Sequence, residues 1–221
     1  MCGRYSLAQP DTAAERFGFV DWHERRIQPR FNIAPSQLVL AVVAGPGGRE
    51  APLMRWGFQP GYLKDPRLAP INAKAETLLD KPLFRHAAAH KRCLIPADGF
   101  WEWRTVAGAK RGVPTHIRLK SGEPFALAGL WIPSPDGELT CAIVTTPANE
   151  LLAPIHSRMP AILRPQDEAL WLDRSVANSL AVMSCLRPYD SSLMEAFSVS
   201  SRVNSVTNDG PELLEPAEAL A

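Results

Sequence analysis

Apolar residues in this chain come in short runs cut by turn formers, and long helical periodicities are scarce. Residues 38–43, LVLAVV, form one run, closed by Gly45-Pro46-Gly47-Gly48. A strand and a tight turn are predicted there, with Met54–Phe58 as the returning strand. Cys93-Leu94-Ile95-Pro96 and Phe100-Trp101-Glu102-Trp103 read as strands around an Ala97-Asp98-Gly99 turn. His116–Leu119, Phe125–Trp131 and Cys141–Thr146 continue the β pattern, and Val199–Val203 is the last strand expected. Helices are predicted over residues 10–19, behind a Pro-Asp start, and from Pro82 through His90, where proline suits the first turn. Gln166–Leu172 and Val176–Leu186 also read as helical. The expected fold is α+β: one domain with a mostly antiparallel, barrel-like sheet and packed helices. No repeat or linker divides the chain, and Pro211–Ala221 reads as a loose tail.

Composition sharpens this picture at a few points. With 221 residues, 46% hydrophobic and 21% charged, the chain can bury a sizeable core. Its 21 prolines favour turns and edges over long helices. A net charge of +1 excludes a histone-like positive coat, although 24 Lys and Arg leave room for a local basic groove. Cys2, Cys93, Cys141 and Cys185 are widely spaced, with no C-x-x-C pair. That spacing argues against a zinc site and a disulfide scaffold, and no metal or cofactor is expected. There is no secretory leader and no run of 18 apolar residues, so a reducing cytoplasm is expected and no membrane partner.

Three polar groups stand where apolar residues would be expected. In Asn72-Ala73-Lys74-Ala75-Glu76, an extended chain puts Asn72, Lys74 and Glu76 on one face. Such a face could orient a carbonyl or amine and hold a phosphate, or simply be solvated. Glu102 lies between Trp101 and Trp103. Apolar surroundings raise a carboxylate's pKa and make it a proton carrier; an exposed edge position would leave it inert. His156 and Arg158 share one side of an extended segment, combining a group that titrates near neutrality with a phosphate fork.

Cys2 has its own chemistry. Removal of Met1 would leave an amine and a thiol on neighbouring carbons. The amine condenses with an aldehyde to an imine, and the thiol then closes a thiazolidine ring. An α-amine with a pKa of about 8 is partly unprotonated near neutrality.

In order, MCGRY, FNIAPSQ, MRWGF, INAKAET, CLIPADGFWEW, AGLW, VTTPAN and IHSRMPAIL resemble the SRAP family, in particular bacterial relatives of the human abasic-site sensor of replication forks. The match runs from Cys2 to the region of Ser200–Pro211. The resemblance implies that Cys2 crosslinks covalently to abasic sites in single-stranded DNA. It implies that Asn72 orients the amine and the sugar, that Glu102 moves protons, and that His156 assists ring opening and reversal. It assigns phosphate contacts to Arg4, Lys74 and Arg158, and the strand's path to Gly3, Pro35, Trp56, Trp103 and Thr145. A monomer acting on DNA is expected. Two departures stand out. Lys74 occupies a position where relatives often carry Arg and cannot make a bidentate fork. Tyr62-Leu63 replaces an aromatic pair that wedges against duplex in some relatives, which weakens the case for junction preference.

Two other functions use the same residues. One is an N-terminal-nucleophile cysteine peptidase built on Cys2, Glu102 and His156. The other is a non-catalytic reader of modified bases with a pocket lined by Trp101 or Trp103. Only the crosslinker requires an amine and a thiol on one residue.

Overall fold

The computed structural model describes residues 2–19, 27–106, 108, 112–176 and 180–217. In chain order the elements are β1 (Tyr5–Leu7), α1 (Pro10–Phe17), β2 (Arg30–Ile33), β3 (Leu38–Leu40), β4 (Val43–Gly45), β5 (Gly48–Glu50), β6 (Leu53–Trp56), β7 (Asn72–Lys74), α2 (Pro82–His90), β8 (Arg92–Ala97), β9 (Gly99–Arg104), β10 (Val113–Leu119), β11 (Phe125–Pro133), β12 (Leu139–Pro147), β13 (Arg158–Pro160), β14 (Ile162–Leu163), α3 (Pro165–Leu172), α4 (Leu180–Ser184) and β15 (Met194–Ser198).

Two sheets carry the fold. One has the order β15-β10-β9-β1-β2. The other runs β14-β11-β12-β6-β3, with β8 also on β11 and with β7 and β13 also on β12. Pairing is antiparallel except where β6 and β7 join β12. The α+β class and the antiparallel bias are as expected. The barrel is not: neither sheet closes on itself among the described residues.

The continuous run of β8 explains the layering. All six of its residues are buried, with Leu94 and Ile95 fully inaccessible, so both faces are covered. Truncating such a side chain to alanine typically costs about 2–5 kcal/mol. Helix α3 braces the strand from outside through the Trp171 indole, which donates to the Cys93 carbonyl at 2.9 Å. The chain then changes sheet at Asp98, whose carboxylate accepts from the Ser6 hydroxyl at 2.6 Å and from the Gln9 amide at 2.9 Å. One buried carboxylate thus ties the β8–β9 corner to the N-terminal strand. That tie fixes where residue 2 lies.

Several expectations need correction. The strand expected at Val199–Val203 is displaced to Met194–Ser198, and Ser201–Asn204 forms a 3-10 turn. The Ser200 side chain accepts the Arg202 amide and starts that turn. Glu195 hid the true strand from the apolar pattern, and it pairs with Arg118 across the sheet at 2.7 Å. Residues 211–217 are not a loose tail. Leu213 is fully buried against Trp101, and Ala217 donates to the Ser198 carbonyl at 2.7 Å. Of the helix expected over Val176–Leu186, Leu180–Ser184 is helical and residues 177–179 lie outside the described residues. The extended segment at Asn72 stops at Lys74, and Glu76 sits in a 3-10 turn. Among the described residues, no helix is long and apolar enough to cross a membrane.

Candidate functional site

Strand β1 runs antiparallel to β9, with Tyr5 opposite Phe100 and the Trp101 amide donating to the Arg4 carbonyl at 3.0 Å. This pairing carries the N-terminal segment along the strand that bears Glu102. Cys2 ends fully buried. From the other sheet, β7 lies parallel to β12 with Asn72 opposite Ile143. Its Asn72 Nδ2 donates to the Cys2 carbonyl at 2.9 Å. Asn72 Oδ1 is buried and has no partner among the described residues. It remains an unused acceptor beside residue 2.

Glu102 is 2% exposed. Burial raises its pKa, and neighbouring groups, His156 among them, partly offset this. The Cys2 thiol is pushed far up, first by burial and then by the Glu102 charge. The two groups are therefore close enough to act on each other. At neutral pH the sulfur is a thiol, not a thiolate.

His156 arrives by a different route. The Asn149 side chain folds the segment before it, accepting the Leu152 amide at 3.0 Å and donating to the Tyr189 carbonyl at 2.8 Å. The His156 amide then bonds the Leu152 carbonyl at 2.9 Å. His156 Nδ1 lies 3.0 Å from the Arg158 amide and 3.2 Å from the Arg158 carbonyl, so it accepts from the first in one tautomer and donates to the second in the other. Asn149 was visible only as the end of VTTPAN; its single sequence signal was an asparagine before a turn.

Cys2, Asn72, Glu102 and His156 are thus brought to one place from four parts of the chain. Arg158 and Thr145 adjoin them: Arg158 Nη2 donates to the Thr145 carbonyl at 2.6 Å and to its Oγ1 at 3.1 Å. Lys74 is exposed, two residues along β7 from Asn72 and opposite Thr145. Gly3 and Pro35 are partly buried, as is Leu63, while Tyr62 is 74% exposed on its turn.

Three expected strand contacts change character. Trp56 is wholly buried, edge-on to Tyr5 at 5.4 Å, and its indole donates to the Ile71 carbonyl. It is core and has no face to offer a strand. Thr145 is also wholly buried, its oxygen atoms turned to Arg158. Arg4 commits Nη1 to Asn32 Oδ1 and to the Val203 carbonyl, both at 2.7 Å. It clasps the N-terminal segment to the C-terminal arm, with its guanidinium 5.8 Å from the Trp103 ring. Trp103 is held in turn by Asn204 Oδ1 at 2.7 Å. Among the described residues, no group of three or more His, Cys, Asp or Glu is placed to hold a metal.

A family model described as SOS response associated peptidase (SRAP) matches residues 1–206. The Bacillus subtilis protein YoqW, named an abasic site processing protein, is 42% identical over 223 residues, covering 97% of this chain and 99% of the relative. The Escherichia coli protein YedK carries the same description and is 29% identical, covering 98% of this chain and all of that protein. A solved structure from Bacteroides thetaiotaomicron aligns with a TM-score of 0.83 at 26% identity, covering 98% of this chain and 100% of its own. Sequence and fold agree, and the chain belongs to the SRAP family.

Proposed function

We propose that this protein captures abasic sites in single-stranded DNA by closing a thiazolidine on Cys2 after loss of Met1. The observation that supports the reading most is the convergence on Cys2 of an amide, Asn72, and a buried carboxylate, Glu102. The relatives' shared description as abasic site processing proteins points the same way.

An abasic deoxyribose opens to an aldehyde at C1′. The Cys2 amine adds there, water leaves, and an imine remains. The thiol then adds across the C=N bond, its proton passing to nitrogen, and the ring closes. Aldehyde and aminothiol become thiazolidine and water, and nothing is oxidised. Because the thiol is held protonated, the amine attacks first. Asn72 Oδ1 can accept an N–H of that amine. Glu102, with a raised pKa, takes a proton from the attacking nitrogen and returns one to the departing hydroxyl. His156 serves ring opening, and Arg158 and Lys74 hold flanking phosphates.

A peptidase reading would need a base to take the thiol proton during attack, and burial disfavours the thiolate here. A base pocket on Trp101 is filled by Val199, Val203 and Leu213. The test is a denaturing gel after incubation with abasic single-stranded DNA. Wild type should give a heat-stable adduct that Cys2→Ala lacks, and equal yields in both would remove the proposal.

A further inference from the structure

Glu76 shares a face with Asn72 and Lys74 in the sequence, yet the chemistry above gives it no task. In the fold it sits on the 3-10 turn Ala75–Thr77, directly against Arg158. Its Oε1 pairs with Nη1 and its Oε2 with Nη2 at 3.0 Å. This is the two-oxygen, two-nitrogen fork that a phosphate would make.

A guanidinium has five N–H donors. Both Nη2 protons go to Glu76 and Thr145, and one Nη1 proton goes to Glu76. Nε is buried without a partner among the described residues. Only the second Nη1 proton is left for an incoming strand. The Arg158 side chain is 14% exposed and anchored on the Thr145 carbonyl, whereas Glu76 is 45% exposed. If one partner gives way, it is the carboxylate.

We propose that Glu76 is a built-in competitor for phosphate: it occupies the Arg158 fork in the DNA-free protein and must swing out before a strand can be gripped there. The consequence is selectivity. Intact single strands meet a weakened grip and leave, while an abasic strand is retained by the covalent bond. This inference rests on the functional reading above.

The experiment measures the affinity of an intact poly-thymidine oligonucleotide against salt for wild type, Glu76→Gln, Arg158→Ala and the double variant, alongside adduct yield of wild type with abasic DNA. Glu76→Gln should bind about two- to fivefold tighter, the scale of an exposed ion pair. Its salt slope should steepen by roughly 0.7, one further phosphate on a single strand. The gain should vanish in the Arg158→Ala background, as a coupling through that fork requires. Thermal melts confirm that each variant is folded. Weaker or unchanged binding by folded Glu76→Gln overturns the inference, as does a gain that survives loss of Arg158. A wild type that makes no adduct overturns the functional reading and this inference with it. A wild type that makes the adduct while Glu76→Gln gains nothing overturns this inference alone.

Discussion

Two carboxylates mark the two ends of the candidate site, and their environments have driven them apart. Glu102 is buried beside Cys2, and desolvation raises its pKa. Glu76 is half-exposed in a fork with Arg158, and that hydrogen-bonded pair lowers its pKa. The same functional group is held toward its neutral form at one end and toward its charged form at the other. The chemical end is dry and assembled from the interior of both sheets. At the other end Glu76 and Lys74 open to solvent, over a largely buried Arg158.

The largest expected effect breaks the chemical end outright. Leaving one extra residue before Cys2 keeps the thiol but turns the amine into a peptide nitrogen. Such a protein should form no thiazolidine, and normal crosslinking by it would mean that the amine is not the nucleophile. Next in size, Glu102→Gln should slow crosslinking by about 10²–10⁴, the usual worth of a positioned acid–base group. Rapid-quench time courses are needed, because a slow reaction still reaches the same end point.

The two carboxylates should also respond oppositely in stability, which sharpens the contrast. A raised pKa means that the fold prefers neutral Glu102. That contribution is present below the ordinary carboxylate range and is lost as pH climbs through the raised value. Glu102→Gln should therefore melt at or above wild type at neutral pH, and the difference should disappear in acid. Glu76 has the opposite sign. Its stabilisation is present above the ordinary range and is lost as pH falls through the lowered value. Glu76→Gln should cost only about 0–1 kcal/mol at neutral pH, because Glu76 itself is half-exposed. Melting curves at acid and neutral pH for both variants decide it; a Glu102→Gln protein that is less stable than wild type at neutral pH would make that residue structural. On binding, Tyr62→Ala should weaken the hold on intact single strands by no more than the stacking of one base, about 1–3 kcal/mol. A change in junction preference would show instead in competition with duplex-flanked DNA.

Much of the chemical end was legible in sequence. Residue 2 stood out as a candidate aminothiol, and FWEW placed a carboxylate among rings; the fold buries both. The helix from Pro82 to His90 and the strands around Asp98 followed from proline position and apolar runs. The phosphate end was not legible. Glu76 and Arg158 are 82 residues apart, and nothing local to either says that they meet. The resemblance put Trp56 on the strand's path, but only the fold shows Tyr5 against its ring and Ile71 accepting from its indole. The last strand was missed because Glu195 interrupts its apolar pattern and finds its partner across the sheet. In each case the deciding contact is long-range, and periodicity carries no information about it.

Intact mass after incubation with abasic single-stranded DNA tests the central claim most directly. The expected product has the mass of the chain without Met1 plus the oligonucleotide minus one water, and peptide mapping should place the addition on Cys2. An unchanged mass for a folded, Met1-free protein, or the same addition in Cys2→Ala, would contradict it.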